Sequence, residues 1–278
     1  MSFKNYIEPF KELFFARGNA QYRLMRFFGR IPQCRSRRFS KEHTDHLKNV
    51  SLDNIISPLS PTDIILNLRD NGFSSSLKLS KSLLQCLLDV AIESSFVDRK
   101  TGLGSYRLTP SDLQKPDDGY IYSVFDPHLS NDKLLQFALE DVKPIADAYL
   151  GADAIIANSQ IWATFPDNEE EFYNPDFGFH YDLDDYRFLK LFIYLTDVDL
   201  NSGPHYIIRQ SHKMNAWFRF FNRRLSEKSA ERYQKNIEVM LGKKGEGFFE
   251  DTLCYHKGSR PTKPRLIFQL EFALNKYN

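Results

Sequence analysis

The sequence predicts an α+β fold, with helices in its first half and an antiparallel strand set in its second. Three observations carry this expectation. Up to Leu150 apolar residues recur at helical spacing between capping and turn residues. After Gly151 short β-branched and aromatic runs take over, and two of those runs have chemically different faces. The simplest architecture is a β-sandwich or jelly roll flanked by helices.

Residues 1–30 read as helical and 31–60 as a basic, polar connection ending in Ser57-Pro58-Leu59-Ser60-Pro61. On that basis residues 1–60 form a basic helical extension packed on the body, and 61–278 the jelly-roll domain. Asp63 to Arg69 is a short helix closed by Asn71-Gly72, and Leu77-Lys78-Leu79 is a strand. A helix from Ser80 to Ser95 places Leu83, Leu84, Leu87 and Leu88 on one face. Residues 97–120 are loop-like, and a second long helix runs from Asn131 to Leu150. Strands are expected at 154–165, 188–196, 205–208, 247–249 and 265–273, with a helical insertion over 216–241.

Composition narrows the class. Of 278 residues, 42 % are hydrophobic and 26 % charged, the balance of a folded globule rather than a disordered chain. The apolar run 189–195 is broken by Lys190 and is too short to cross a bilayer. Lys4, Glu8, Lys11 and Glu12 break any export signal, and three scattered cysteines (Cys34, Cys86, Cys254) suggest neither disulfides nor a thiolate metal site. A cytoplasmic protein is the expectation. Net charge is +1, yet residues 1–42 hold ten Lys/Arg against three Asp/Glu, +7, leaving −6 for the rest. Aromatics interleave with those cations, which fits amphipathic helices packed on an acidic body. No nucleic-acid motif accompanies them, so no nucleic-acid partner is expected.

Period-two alternation sends Leu266, Phe268, Leu270 and Phe272 to one side of the last strand and Arg265, Gln269 and Glu271 to the other. In the first strand Ile161, Ala163 and Phe165 oppose Asn158, Gln160, Trp162 and Thr164. A polar face can simply meet solvent; alternatively it lines a barrel interior, with Gln160 and Trp162 facing a substrate. Tyr120 and Tyr122 are candidates for an entrance rim.

The motif with the most chemistry is Phe179-His180-Tyr181-Asp182. Two residues apart on an extended segment, His180 and Asp182 project to the same side. One more imidazole would complete a 2-His-1-carboxylate facial triad, which leaves open positions on Fe(II) for a chelating cosubstrate and dioxygen. His205, His212 and His256 are the candidates. Only His256 comes with a nearby fixed cation, Arg265, opening the final strand nine residues later. A guanidinium beside a metal suits a dicarboxylate cosubstrate, one end chelating and the other salt-bridged. Lys190, among Phe188, Phe192 and Tyr194, either snorkels to solvent or contacts the cosubstrate or an anionic substrate group.

His180-Tyr181-Asp182, the run 190–199, Asn201-Ser202-Gly203-Pro204, Ser211-His212-Lys213, and His256-Lys257-Gly258 with Arg265 together resemble the phytanoyl-CoA dioxygenase family over roughly residues 60–275. The resemblance implies a double-stranded β-helix (jelly-roll, cupin-like) fold and an Fe(II)- and 2-oxoglutarate-dependent dioxygenase acting on a small molecule. It implies iron bound by His180, Asp182 and His256, and the far carboxylate of 2-oxoglutarate bound by Arg265, with Arg260 a rival. Asp182 argues for hydroxylation, because family halogenases lack that carboxylate. Where the family usually has Pro-Gly before the Ser-His pair, this chain has Arg209-Gln210, which puts a charge near the site. Gly258 stands where a hydroxyl residue is common. The competing readings are a catalytically silent metal-binding jelly roll and a metal-dependent isomerase or epimerase.

Overall fold

A computed structural model describes residues 9–10, 13–14, 18–35, 47, 50, 52–99, 101–108, 121–166 and 178–277. Eleven strands occur in these residues: β1 (Ile55–Ile56), β2 (Phe73–Leu79), β3 (Val97–Asp98), β4 (Ile121–Phe125), β5 (Ile155–Thr164), β6 (Phe188–Tyr194), β7 (His205–Ile208), β8 (Ile237–Met240), β9 (Glu246–Glu250), β10 (His256–Lys257) and β11 (Arg265–Ala273). Eight form one antiparallel sheet in the order β1-β2-β9-β6-β11-β5-β4-β3, and three form a second in the order β10-β7-β8. The smaller sheet faces the larger one. Ile207 and Met240 pack against Phe192, Tyr194, Phe248 and Ile267, giving the two-sheet jelly-roll core.

Helices cover the other face of the large sheet. They are α2 (Pro61–Asn71), α3 (Lys81–Glu93), α4 (Asp132–Phe137) and α5 (Lys143–Leu150), the last two joined by a π-helical turn at Ala138–Val142. Ile64, Leu68, Leu83, Leu87, Leu134 and Ile145 meet Leu189, Leu191, Ile193, Leu266, Phe268 and Phe272 in one buried cluster. The start of α2 is fixed by a reciprocal Ser60–Asp63 capping box with Pro61 at the first helical position, and its end by Gly72 at φ 89°. α1 (Ala20–Phe28) docks its aromatic face on the body: Phe27 lies edge-on to Phe220 at 5.6 Å, and Arg30 donates to the Phe220 carbonyl at 2.7 Å. Much of the expected N-terminal helical segment, residues 1–8 and 36–46 included, lies outside the described residues.

Two elements differ from the sequence expectation. The insertion at 216–241 is not one helix: only α6 (Ala216–Phe221) and α7 (Glu227–Ala230) are α-helical, followed by a 3-10 stretch and then β8, which pairs with β7. Its isolated Ile237-Glu238-Val239-Met240 alternates, but the helix formers before it mask the signal. The region expected as loop at 97–120 begins with the short strand β3, paired with β4, and residues 109–120 lie outside the described residues. Among the described residues no helix is long and apolar enough to cross a membrane.

Candidate metal centre and its cavity

The site is assembled by backbone pairing. His180 and His256 exchange both backbone hydrogen bonds, at 2.9 and 2.8 Å, as a directly opposed antiparallel pair. Directly opposed residues put their side chains on the same face, and here the two imidazole centroids lie 4.6 Å apart. Asp182, two residues on, is held by its amide donating to the Thr252 carbonyl at 2.9 Å and projects to that face. Tyr181 turns away, is fully buried, and donates to the Arg219 carbonyl.

The donor atoms converge. His180 Nε2 lies 3.7 Å from Asp182 Oδ1, and His256 Nε2 lies 3.6 Å from Asp182 Oδ2. The three ligand atoms all fall within 4.8 Å of one another. Each imidazole is oriented from behind: His180 Nδ1 is 2.8 Å from the Gly178 carbonyl and His256 Nδ1 is 3.0 Å from the Cys254 carbonyl. A carbonyl only accepts, so each Nδ1 carries the proton and each Nε2 presents a lone pair to the centre. Burial opposes charge on Asp182, but the Lys190 ammonium beside it holds its carboxyl well below the usual range. Two neutral imidazole donors and one ionised carboxylate, all facing one point, fit a divalent transition ion.

These residues line a cavity of about 320 Å³ that also exposes Arg265, Lys190, Gln160 and Trp162. Arg265 is anchored by donating from Nη1 to the Gly203 carbonyl. Gly203 adopts φ 69° there, and a Cβ on it would stand 2.6 Å from the Ser259 carbonyl oxygen, so the turn requires glycine. Arg260 is exposed and outside the cavity wall. Lys190 does not snorkel: it is 6 % exposed and donates to Asp182 at 2.8 Å and Asp184 at 2.7 Å, with Glu271 at 3.7 Å. Gln160 accepts from Trp162 Nε1, and the Arg99 guanidinium covers the Trp162 ring at 4.5 Å.

The other candidate histidines have different settings. His212 is packed between Cys254 Sγ and the Arg69 carbonyl, each at 3.1 Å. His205 lines the cavity, stacks on His256 at 5.1 Å, and lies 2.8 Å from Glu250 Oε2. Burial lowers His205 to about 3 and raises Glu250 to about 8, so near neutral pH this core pair is a neutral imidazole beside a carboxylic acid. Tyr122 is buried against Tyr106 and Phe165 rather than at a rim, and Tyr120 lies outside the described residues. Arg209 is exposed and pairs with Glu238, and Gln210 takes φ 62°, a left-handed conformation that favours glycine.

Sequence reasoning did not single out Asp184, Glu250 or Thr164 as site residues. Asp184 simply continues the His180–Asp182 alternation and could have been read from it. Glu250 ends an aromatic strand and carries no such signal.

Neither a family model nor a curated protein matches the sequence. Solved structures do match in fold. EvdO2 from Micromonospora carbonacea var. aurantiaca superposes with a TM-score of 0.55 at 15 % identity, over 78 % of this chain and 92 % of that one. EctD from S. alaskensis, solved with 2-oxoglutarate and 5-hydroxyectoine, gives 0.52 at 17 % identity over 81 % and 79 %. The non-heme alpha ketoglutarate dependent carbocyclase SnoK from nogalamycin biosynthesis gives 0.51 at 16 % identity over 77 % and 84 %. The chain therefore has the fold of these proteins, a jelly-roll core flanked by helices.

Proposed function

We propose that the chain is an Fe(II)- and 2-oxoglutarate-dependent dioxygenase that hydroxylates a small-molecule substrate. The observation that carries this reading is the convergence of two Nδ1-protonated histidines and one ionised carboxylate in a cavity that also contains an anchored arginine. Iron would be held by His180 Nε2, His256 Nε2 and the Asp182 carboxylate. The far carboxylate of 2-oxoglutarate would pair with Arg265, the cavity-wall arginine, rather than Arg260. Thr164 is the direct cross-strand partner of Arg265, and its buried hydroxyl has no hydrogen bond among the described residues, so it can add a second donor to that carboxylate. The structure of SnoN, a fold neighbour, holds Fe3+ and alpha ketoglutarate, and one of EvdO2 holds 2-oxoglutarate.

When bound, iron and 2-oxoglutarate supply the oxidation, in which dioxygen is consumed, 2-oxoglutarate leaves as succinate and CO2, and the substrate gains oxygen. The chain's own residues supply geometry. The Gly178 and Cys254 carbonyls lock the imidazole tautomers, and Lys190 keeps Asp182 ionised and fixed in orientation. The neutral His205–Glu250 pair packs against His256 without adding charge. Fold neighbours include an epimerase and a carbocyclase, so the fold does not decide the outcome. Asp182 does bear on it in one respect, since an occupied carboxylate position leaves no place for a halide and favours hydroxylation over halogenation. An isomerase that uses no 2-oxoglutarate would have no use for an anchored arginine in the same cavity as the metal ligands.

The test is anaerobic titration of metal-free protein with Fe(II) and 2-oxoglutarate, following the visible metal-to-ligand charge-transfer band. The band is expected in the parent and absent in folded His180→Ala. No band in well-folded parent protein overturns the proposal.

A further inference from the structure

The strand register sorts the cavity's polar groups into rows. Glu271 on β11 stands opposite Asn158 of β5 and Lys190 of β6, and Gln269 stands opposite Gln160 and Phe192. Arg265 lies six residues from Glu271 on the same strand, about 20 Å at 3.3 Å per residue. The cavity thus has a cationic end and, beside Asp182, an end built from amides and carboxylates.

The donors and acceptors at that second end are only partly spent on one another. Gln269, 3 % exposed, donates from Nε2 to Asn158 Oδ1 at 3.2 Å, and Asn158 donates to Glu271 Oε2 at 2.7 Å. Gln269 Oε1 and Glu271 Oε1 then have no hydrogen bond among the described residues. Lys190 takes one oxygen of Asp184 and leaves the other. Gln160 accepts from Trp162, leaving its Nε2 free to donate, and Gln269 Nε2 and Asn158 Nδ2 each keep a second N–H. Three acceptor oxygens, two of them on carboxylates, thus face the cavity together with unspent amide N–H groups of Gln160, Gln269 and Asn158, and polar groups turned into a cavity are almost always partnered by water or a ligand.

We infer that the substrate is a small polar molecule that presents hydrogen-bond donors, hydroxyl or ammonium groups, to Gln269, Glu271 and Asp184. This rests on the reading of the cavity as an oxygenase site. An acyl chain placed there would strip water from three acceptors and give nothing back, and a carboxylate would meet the Asp184 carboxylate, and Glu271 wherever it is ionised, as like charges.

Trp162 in the cavity wall reports binding directly. The chain has two tryptophans, and Trp217 is 73 % exposed, so Trp217→Phe isolates the signal. The whole chain, in separate metal-free samples and anaerobic samples loaded with Fe(II) and 2-oxoglutarate, is titrated with methyl α-glucoside, putrescine or hexanoate up to about 50 mM, since fragment-sized ligands bind in the millimolar range. A saturable change with the glucoside or putrescine is expected, weakened about tenfold in Gln269→Leu for the loss of one well-placed hydrogen bond. At about pH 8.5, above the raised Glu271 value of about 7, Glu271→Gln keeps shape and removes charge, and should weaken putrescine and spare the glucoside, separating ammonium from hydroxyl recognition. Saturable hexanoate binding that survives Gln269→Leu, or no response to either donor probe, overturns the inference. The charge-transfer band is read on the same samples. An intact band without donor binding overturns the substrate class alone, whereas donor binding without the band supports the subsite and overturns the oxygenase reading.

Discussion

On β11, Leu266, Phe268, Leu270 and Phe272 point into the helices, while Arg265, Gln269 and Glu271 point into the cavity, and every one is at most 9 % exposed. Burial is the same on both faces; its energetic meaning is opposite. Removing the apolar side chains from water stabilises the fold by about 1.5–3 kcal/mol each. Burying polar ones costs free energy unless each finds a partner, and Glu271, with its carboxyl raised by burial to about 7, shows that cost. The helix-covered face therefore carries stability, and the cavity face carries groups that stability alone would not retain. Variants of the two faces should then fail in different ways.

Asp182→Ala should have the largest effect, abolishing iron-dependent succinate formation while the protein stays folded. Retention of full activity would sink the triad. Phe268→Ala, on the opposite face of β11, should lose about 3–5 kcal/mol of stability to urea, the cost of a large buried cavity. Its iron affinity under native conditions should stay within about threefold of the parent, because such a cavity is felt locally. Loss of iron binding in Phe268→Ala without loss of stability would show that the faces are not separable. Arg265→Ala should raise the KM for 2-oxoglutarate about a hundredfold, the equivalent of two charge-assisted hydrogen bonds, while Arg260→Ala leaves it unchanged. The reverse pattern would move the carboxylate clamp to Arg260.

The separation of faces was legible in the sequence because a strand's period of two is written directly into it. Arg265, Gln269 and Glu271 could be assigned to one side before any coordinates, as could Asn158, Gln160, Trp162 and Thr164. The His180–Asp182 pair was legible for the same reason. What alternation does not carry is which strands meet. That His180 opposes His256, that Lys190 is captured by Asp182 and Asp184, and that His205 stacks on His256 are long-range facts with no local signature. β8 was hidden because four alternating residues follow a longer stretch of good helix formers. Tertiary pairing with β7 overrode that local preference.

Glu250 gives the finest test of the difference between the faces, because nothing in the sequence marks it and its burial is complete. It sits on β9 directly across from Lys190, with Oε2 2.8 Å from His205 Nε2 and Oε1 3.7 Å from His256 Nδ1. Burial raises its carboxyl from 4.5 to about 8. The folded protein therefore keeps a proton that the unfolded chain releases above pH 4.5, and stability contributed by this group falls as pH rises from there to about 8. Glu250→Gln keeps the shape and has no proton to lose. In metal-free protein the variant should match the parent near pH 4.5 and gain on it by about 2–3 kcal/mol at pH 7, at roughly 1.4 kcal/mol per pH unit discounted for relaxation of the site. His205 works in the other direction, losing stability as pH falls below its unfolded value of 6.5, but it is common to both proteins and cancels in their difference. Urea unfolding of both proteins across this range measures that difference. A gap that does not vary with pH would mean that Glu250 is ionised in the folded protein and that the cavity face holds a second buried negative charge beside the metal ligands.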